Sequence, residues 1–182
     1  HTQRRRQRQM CIRDSNGDVS SKEFLSPFYY NEQVTYYQYG GSKDLSNSPA
    51  GIGDLVYHLH NLFDKRIMVL FTSIRALTDT AKYLKTLPDG RNLPLFAQVR
   101  GASRPSIIKG MHQTSNGILF GTNSFWEGVD LPGELLEILV LVKLPFDVPS
   151  EPLVRSYSDH VNRMGGNSFI DSSLPETAIR FR

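Results

Sequence analysis

The densest chemistry in this sequence lies in residues 118–133, Ile-Leu-Phe-Gly-Thr-Asn-Ser-Phe-Trp-Glu-Gly-Val-Asp-Leu-Pro-Gly. Thr122, Asn123 and Ser124 bring two hydroxyls and an amide, groups that donate hydrogen bonds to phosphate oxygens. Glu127 and Asp130 follow in a tight turn, as acceptors suited to ribose hydroxyls, an ordered water or a neighbouring arginine. Gly121 and Gly128 would let backbone come close to a ligand. A second polar cluster, Thr72-Ser73-Ile74-Arg75, combines hydroxyls with a guanidinium. The residues alone leave two readings open: a phosphate-facing loop, or a strand running into an acidic turn with a helix cap.

Each cluster directly follows an apolar run of strand length, residues 67–71 and 118–120. Residues 95–99 form a weaker strand, and residues 138–144 a fourth. Between the strands the apolar spacing turns helical. Ser48-Pro49 supplies a cap and a first-turn proline, ahead of a stripe of Ile52, Leu55, Val56, Leu59, Leu62 and Phe63. Ser73 caps a helix whose inner face is Ile74, Leu77, Ala81 and Leu84. Ser103 opens one carrying Ile107, Ile108 and Met111. Ser150-Glu151-Pro152 opens another, with Leu153, Tyr157, Val161 and Met164 on one side. Strands apolar on both faces, separated by amphipathic helices, predict an α/β fold with a parallel sheet flanked by helices. Ligands of such sheets bind at the carboxyl ends of the strands, where both polar clusters fall.

Composition narrows the class without choosing a function. The chain has 182 residues, 39% hydrophobic and 21% charged, with a formal net charge of +3. Five arginines in residues 1–13 carry that excess, and without them the balance is −2. Residues 1–23 are therefore read as a basic, irregular tail that need not be native, and residues 24–182 as the domain. One cysteine, Cys11, cannot close an internal disulfide, so the expected compartment is the reducing cytoplasm. No apolar run approaches the length of a membrane span, and no membrane partner is expected. Asp14-Ser-Asn-Gly-Asp18 echoes a calcium loop, but Val19 and Leu25 stand where that loop needs Gly and Glu. His58 and His60, two apart on a helix, point different ways, and no metal site is expected. His112 and His160 read as surface or packing residues. The tyrosines at 29–39 read better as core under a long loop than as a base-stacking platform. Trp126 either packs on the sheet or lines a ligand path, and Lys143 could hold a phosphate but, at a strand end, reads more readily as a solvated lysine.

The string Gly-Thr-x-Ser-Phe-Trp-Glu-Gly-Val-Asp-Leu-Pro-Gly-Glu resembles motif V of the DinG/XPD-like branch of superfamily 2 helicases. In order around it, Leu25-Ser-Pro-Phe-Tyr-Tyr-Asn-Glu-Gln33 is similar to the element opening the second lobe of that family. Met68-Val-Leu-Phe-Thr-Ser-Ile-Arg-Ala-Leu77 resembles motif IV, and Val99-Arg-Gly-Ala-Ser-Arg104 matches a Gln-Gly-x-x-Ser-Arg element in part. Val142-Lys-Leu-Pro-Phe-Asp-Val-Pro-Ser-Glu-Pro-Leu153 resembles the segment after motif V.

The resemblance implies a RecA-like second motor lobe of an ATP-dependent DNA helicase, ending just before motif VI. It implies contacts from Thr72, Ser73, Arg75, Thr122, Asn123 and Ser124 to single-stranded DNA. Glu127, Gly128 and Asp130 would face the nucleotide, Glu127 and Asp130 in catalytic roles. ATP with Mg2+ would be held mainly by a first lobe, the partner of this one. An iron–sulfur cluster occurs in the first lobe of some members, and this sequence says nothing of it. Neither Gly-x-x-x-x-Gly-Lys-Ser/Thr nor Asp-Glu-Ala-His occurs, so this polypeptide is expected to hydrolyse no ATP alone. The alternative is a nucleic-acid-binding module without motor activity.

Overall fold

The computed structural model describes residues 29–41, 44–99, 101–126, 129 and 131–181. The chain divides after Gly40 into two units. In the first, Tyr30–Gln33 forms one short helix. Tyr29, Tyr30, Tyr36, Tyr37 and Tyr39 are all more than half exposed there, which corrects the expectation that they form core.

The second unit is built on four strands, β1 (Ile67–Leu70), β2 (Leu95–Ala97), β3 (Ile118–Gly121) and β4 (Ile138–Leu141). They lie in the order β2-β3-β1-β4 and every pairing is parallel. Ile67 sits level with both Ile118 and Ile138, so the exits of the three strands are aligned. Ahead of β1 comes α1 (Pro49–Phe63). Parallel neighbours need crossovers, and α2 (Ile74–Leu84), α3 (Arg104–Gln113) and the short α4 (Asn123–Trp126) lie in them.

Alternation along the central strands sends apolar side chains to both faces. Ile67, Val69, Phe71, Ile118 and Phe120 join Ile52, Val56, Leu77 and Leu84 in one core layer, under α1 and α2. Met68, Leu70 and Leu119 join Ile107, Met111 and Phe125 in the other, under α3 and α4. Burying one such side chain stabilises by about 1.5–3 kcal/mol, so each layer carries much of the fold's stability.

Ser48, Ser73 and Ser103 accept from Gly51, Ala76 and Ser106 N–H groups, capping α1, α2 and α3 as expected. Their apolar faces are narrower than the periodicity predicts. Leu55, Leu62 and Phe63 of α1 and Ile74 of α2 are exposed, Leu62 and Phe63 at the last turn of α1 and Ile74 in the opening turn of α2. The Tyr83 ring on α2 lies against Gly53, and its hydroxyl donates to Asp54 Oδ1 at 2.8 Å.

β4 ends at Leu141 rather than Leu144, and β2 at Ala97 rather than Val99. As an outer strand, β4 is less covered than β1 and β3: Leu139 is exposed. Beyond it come α5 (Pro152–Arg163), a π-helical turn at Phe169–Ser173, and α6 (Leu174–Phe181). Leu153, Tyr157 and Met164 are exposed, so the apolar side expected of this helix does not enter the sheet's core layers.

At the opposite, amino-terminal end of β1, Arg66 fastens three segments. Its Nε donates to the Met111 and Thr114 carbonyls at 3.1 and 2.7 Å, and Nη1 to the Glu134 carbonyl at 2.8 Å. Lys65 pairs with Glu137 at 2.7 Å. The segment holding Glu134 and Glu137, ahead of β4, is thereby tied to the foot of the sheet.

Candidate functional site

At the exit of β1 the chain leaves the core at buried Phe71 and becomes exposed at Thr72 and Ser73. Ser73 is extended (φ −136°) and its Oγ accepts from Ala76 N–H at a long 3.4 Å. The first N–H groups of α2 lack partners within the helix and carry the positive end of its dipole. Arg75 stands in that first turn with a side chain 92% exposed, loosely paired to Asp79 at 3.7 Å. Thr72, Ser73 and Arg75 together line a cavity of about 480 Å³, with Asn47, Phe71, Asp79, Val142 and Lys143 among the other walls.

Lys143, two residues past β4, donates from Nζ to Asn47 Oδ1. Asn47 in turn donates from Nδ2 to Asp44 Oδ2. Hydrogen bonding from the Ser46 hydroxyl, foremost, holds the Asp44 carboxyl below its usual range, so it stays an anionic anchor for the chain of bonds. From the sequence Lys143 reads as solvated or as a phosphate holder, and nothing there names Asn47. The usable signal was Asp44-x-Ser46-Asn47, a string whose acid caps the following turn, here a 3-10 helix.

The exit of β3 is arranged differently from expectation. Thr122 is only 5% exposed. Its N–H and its hydroxyl both donate to Gln98 Oε1, at 2.9 and 2.8 Å. The hydroxyl proton is therefore committed inside the protein, one residue beyond β2, and does not face an open cleft. Gly121 likewise makes room for protein rather than ligand. A Cβ there would lie 2.7 Å from Phe125 Cβ and Cγ, so glycine is what lets α4 fold back onto its strand. Phe125 is buried, with the Arg104 guanidinium 5.6 Å from its ring centre.

Trp126 packs in the layer under α3 and α4, and its Nε1–H donates to the Phe71 carbonyl at 3.3 Å. Packing on the sheet is the arrangement observed. The bond joins the last turn before the acidic loop to the residue just ahead of Thr72. Around this short helix, Thr122 just ahead of it bonds to Gln98 beyond β2, Phe125 lies against Gly121 at the end of β3, and Trp126 reaches Phe71 beyond β1.

Asn123 and Ser124 lie within that helix by backbone, while their side chains, and the whole of Glu127, Gly128 and Asp130, fall outside the described residues. Val129 packs partly buried against the same core layer as Trp126. Among the described residues no group of three His, Cys, Asp or Glu is gathered to hold a metal, and no helix is long and apolar enough to cross a membrane.

Comparison with known proteins bears on the same region. Residues 56–182 match the helicase C-terminal domain. The chain is 33% identical over 163 residues to a Bacillus subtilis protein named 3'-5' exonuclease DinG, covering 86% of this chain and 18% of that one. It is 28% identical over 174 residues to the ATP-dependent DNA helicase YoaA of Haemophilus influenzae, covering 94% and 27%. Against the ATP-dependent DNA helicase DinG of Photobacterium profundum it is 35% identical over 114 residues, covering 61% and 16%. The chain thus spans about a quarter or less of the length of these relatives.

Proposed function

The chain belongs to the helicase C-terminal domain family, and from that premise we propose that it is the second motor lobe of an ATP-dependent DNA helicase. In this reading the lobe couples ATP binding and hydrolysis in a longer parent to movement along single-stranded DNA. The observation that carries the reading is the bond from Trp126 Nε1 to the Phe71 carbonyl. It ties the segment leading to Glu127 and Asp130 to the segment leading to Thr72, Ser73 and Arg75. Coupling between two ligands needs a physical element that both bias, and α4 is the candidate.

The residue roles follow from chemistry and position. Thr72, Ser73 and Arg75 are exposed donors at a strand exit and would grip the sugar–phosphate backbone, with Asn123 and Ser124 as further donors. Thr122 supports the turn from within through Gln98 instead of touching the strand. Glu127 and Asp130 would act at the nucleotide, with Gly128 admitting it. ATP and Mg2+ would be held mainly by a first lobe bearing the phosphate-binding loop, the partner this lobe closes on.

The matches to the relative named an exonuclease and to one named a helicase cover 86% and 94% of this chain, and so share most of the same stretch. What this lobe contributes is then something both need, which favours gripping and moving a strand over cutting it.

Two substitutions in the full-length parent test the division of labour. Glu127→Gln should abolish most DNA-stimulated ATP turnover while strand binding persists. Arg75→Gln should weaken strand binding about tenfold, the value of one charge-assisted contact. Turnover retained in the first, or affinity unchanged in the second, would refute the roles assigned.

A further inference from the structure

The cavity beside Thr72 and Ser73 has a second cationic wall that the motif resemblance does not assign. We propose that Lys143, held in place by Asn47, completes a seat for one phosphodiester of the bound strand. The inference rests on the strand-gripping role proposed above and adds the residues that fix where a phosphate sits.

Three observations carry it. The cavity of about 480 Å³ is lined by residues just past the carboxyl ends of β1 and β4, with Arg75 and Lys143 both among them. That volume falls in the range of ligand clefts, roughly 300–1,000 Å³. Next, the Lys143 ammonium has three N–H donors and uses one on Asn47, which is itself anchored to Asp44. A lysine tethered in this way has lost part of its rotamer freedom before any ligand arrives, which lowers the cost of binding.

The third observation is charge. The ionisable groups lining the cavity are Arg75, Asp79 and Lys143, a net charge of +1. This matches the single negative charge of a phosphodiester and falls short of what a nucleoside triphosphate would demand. Ile52, Phe71 and Val142 give the same lining an apolar part, a surface for a deoxyribose ring. Thr72 and Ser73 add hydroxyl donors on the rim. The β order places this seat on the β1/β4 side, away from the β3 exit that leads to Glu127 and Asp130.

The test uses the 182-residue chain and a fluorescent oligothymidylate, with anisotropy read from 50 to 300 mM salt. Lys143→Gln should weaken binding about tenfold and flatten the slope of log affinity against log salt by about 0.7, one phosphate contact on a single strand. Lys143→Arg should restore most of both. Asn47→Ala keeps the charge and frees the lysine, so affinity should fall about threefold with the slope unchanged.

Wild-type binding that Lys143→Gln leaves untouched overturns the seat and spares the strand-gripping role. Absence of salt-dependent binding by the wild-type chain overturns both. Displacement of the oligonucleotide by ATP, lost in Lys143→Gln, would make this a nucleotide site and also overturn the proposal. Lys143 is exposed, so its variants should fold, and unchanged thermal midpoints would verify it.

Discussion

Gln98 does for Thr122 what a ligand was expected to do: it accepts both of that residue's protons. The consequence is a stability effect. In denaturant unfolding of the chain, Thr122→Val removes one hydroxyl at constant shape and should cost about 1 kcal/mol. Gln98→Leu leaves two donors without their acceptor and should cost more, about 1–3 kcal/mol for each group left unsatisfied. Equal, negligible effects would show that the bracket is idle. A second residue-scale expectation concerns His60, whose pKa is lowered, chiefly because burial disfavours the imidazolium, against the opposing pull of Asp64 and the Asn116 backbone. The folded protein therefore prefers neutral His60. Its contribution should be intact above the unfolded value near 6.5 and lost as pH falls through the lower folded value. Thermal midpoints from pH 8 to 5 should decline, and His60→Gln should flatten part of that decline. An identical profile in the variant would remove His60 as the cause.

At the scale of elements, the parts legible in the sequence were those governed by local spacing. β1 and β3 are uninterrupted apolar runs, buried throughout, and Ser48, Ser73 and Ser103 cap helices where their hydroxyls precede an apolar period. What local spacing missed was decided by distant partners. Gln98 meets Thr122 across 24 residues, and Lys143 meets Asn47 across 96, distances that no periodicity encodes. Ile74 and Leu62 satisfy the helical pattern yet remain exposed, because the sheet is four strands wide and each helix meets it over only part of its length. Gly121 read as space for a ligand, and the space is taken by Phe125. Trp126 left two placements open in the sequence, and only the Phe71 carbonyl distinguishes them. The acidic loop beyond it was legible as a motif by resemblance, and its roles stay with the proposal.

For the whole molecule, the proposed function makes α4 the joint between the two chemistries. It reaches Phe71 beyond β1 through Trp126 and Gly121 of β3 through Phe125, and in sequence it leads into Glu127 and Asp130. A shift in the acidic loop would therefore reach Phe71, and with it Thr72 and Ser73, through packed and hydrogen-bonded contacts. The β4 side, with Lys143, would hold the strand while α4 senses the nucleotide. The direct measurement is the ratio of DNA-stimulated to DNA-independent ATPase in the full-length parent carrying Trp126→Phe. That change keeps an aromatic ring in the core layer and deletes the N–H that reaches the Phe71 carbonyl. The account predicts a ratio several-fold lower than wild type, with the thermal midpoint nearly preserved. A wild-type ratio in a folded variant would contradict it.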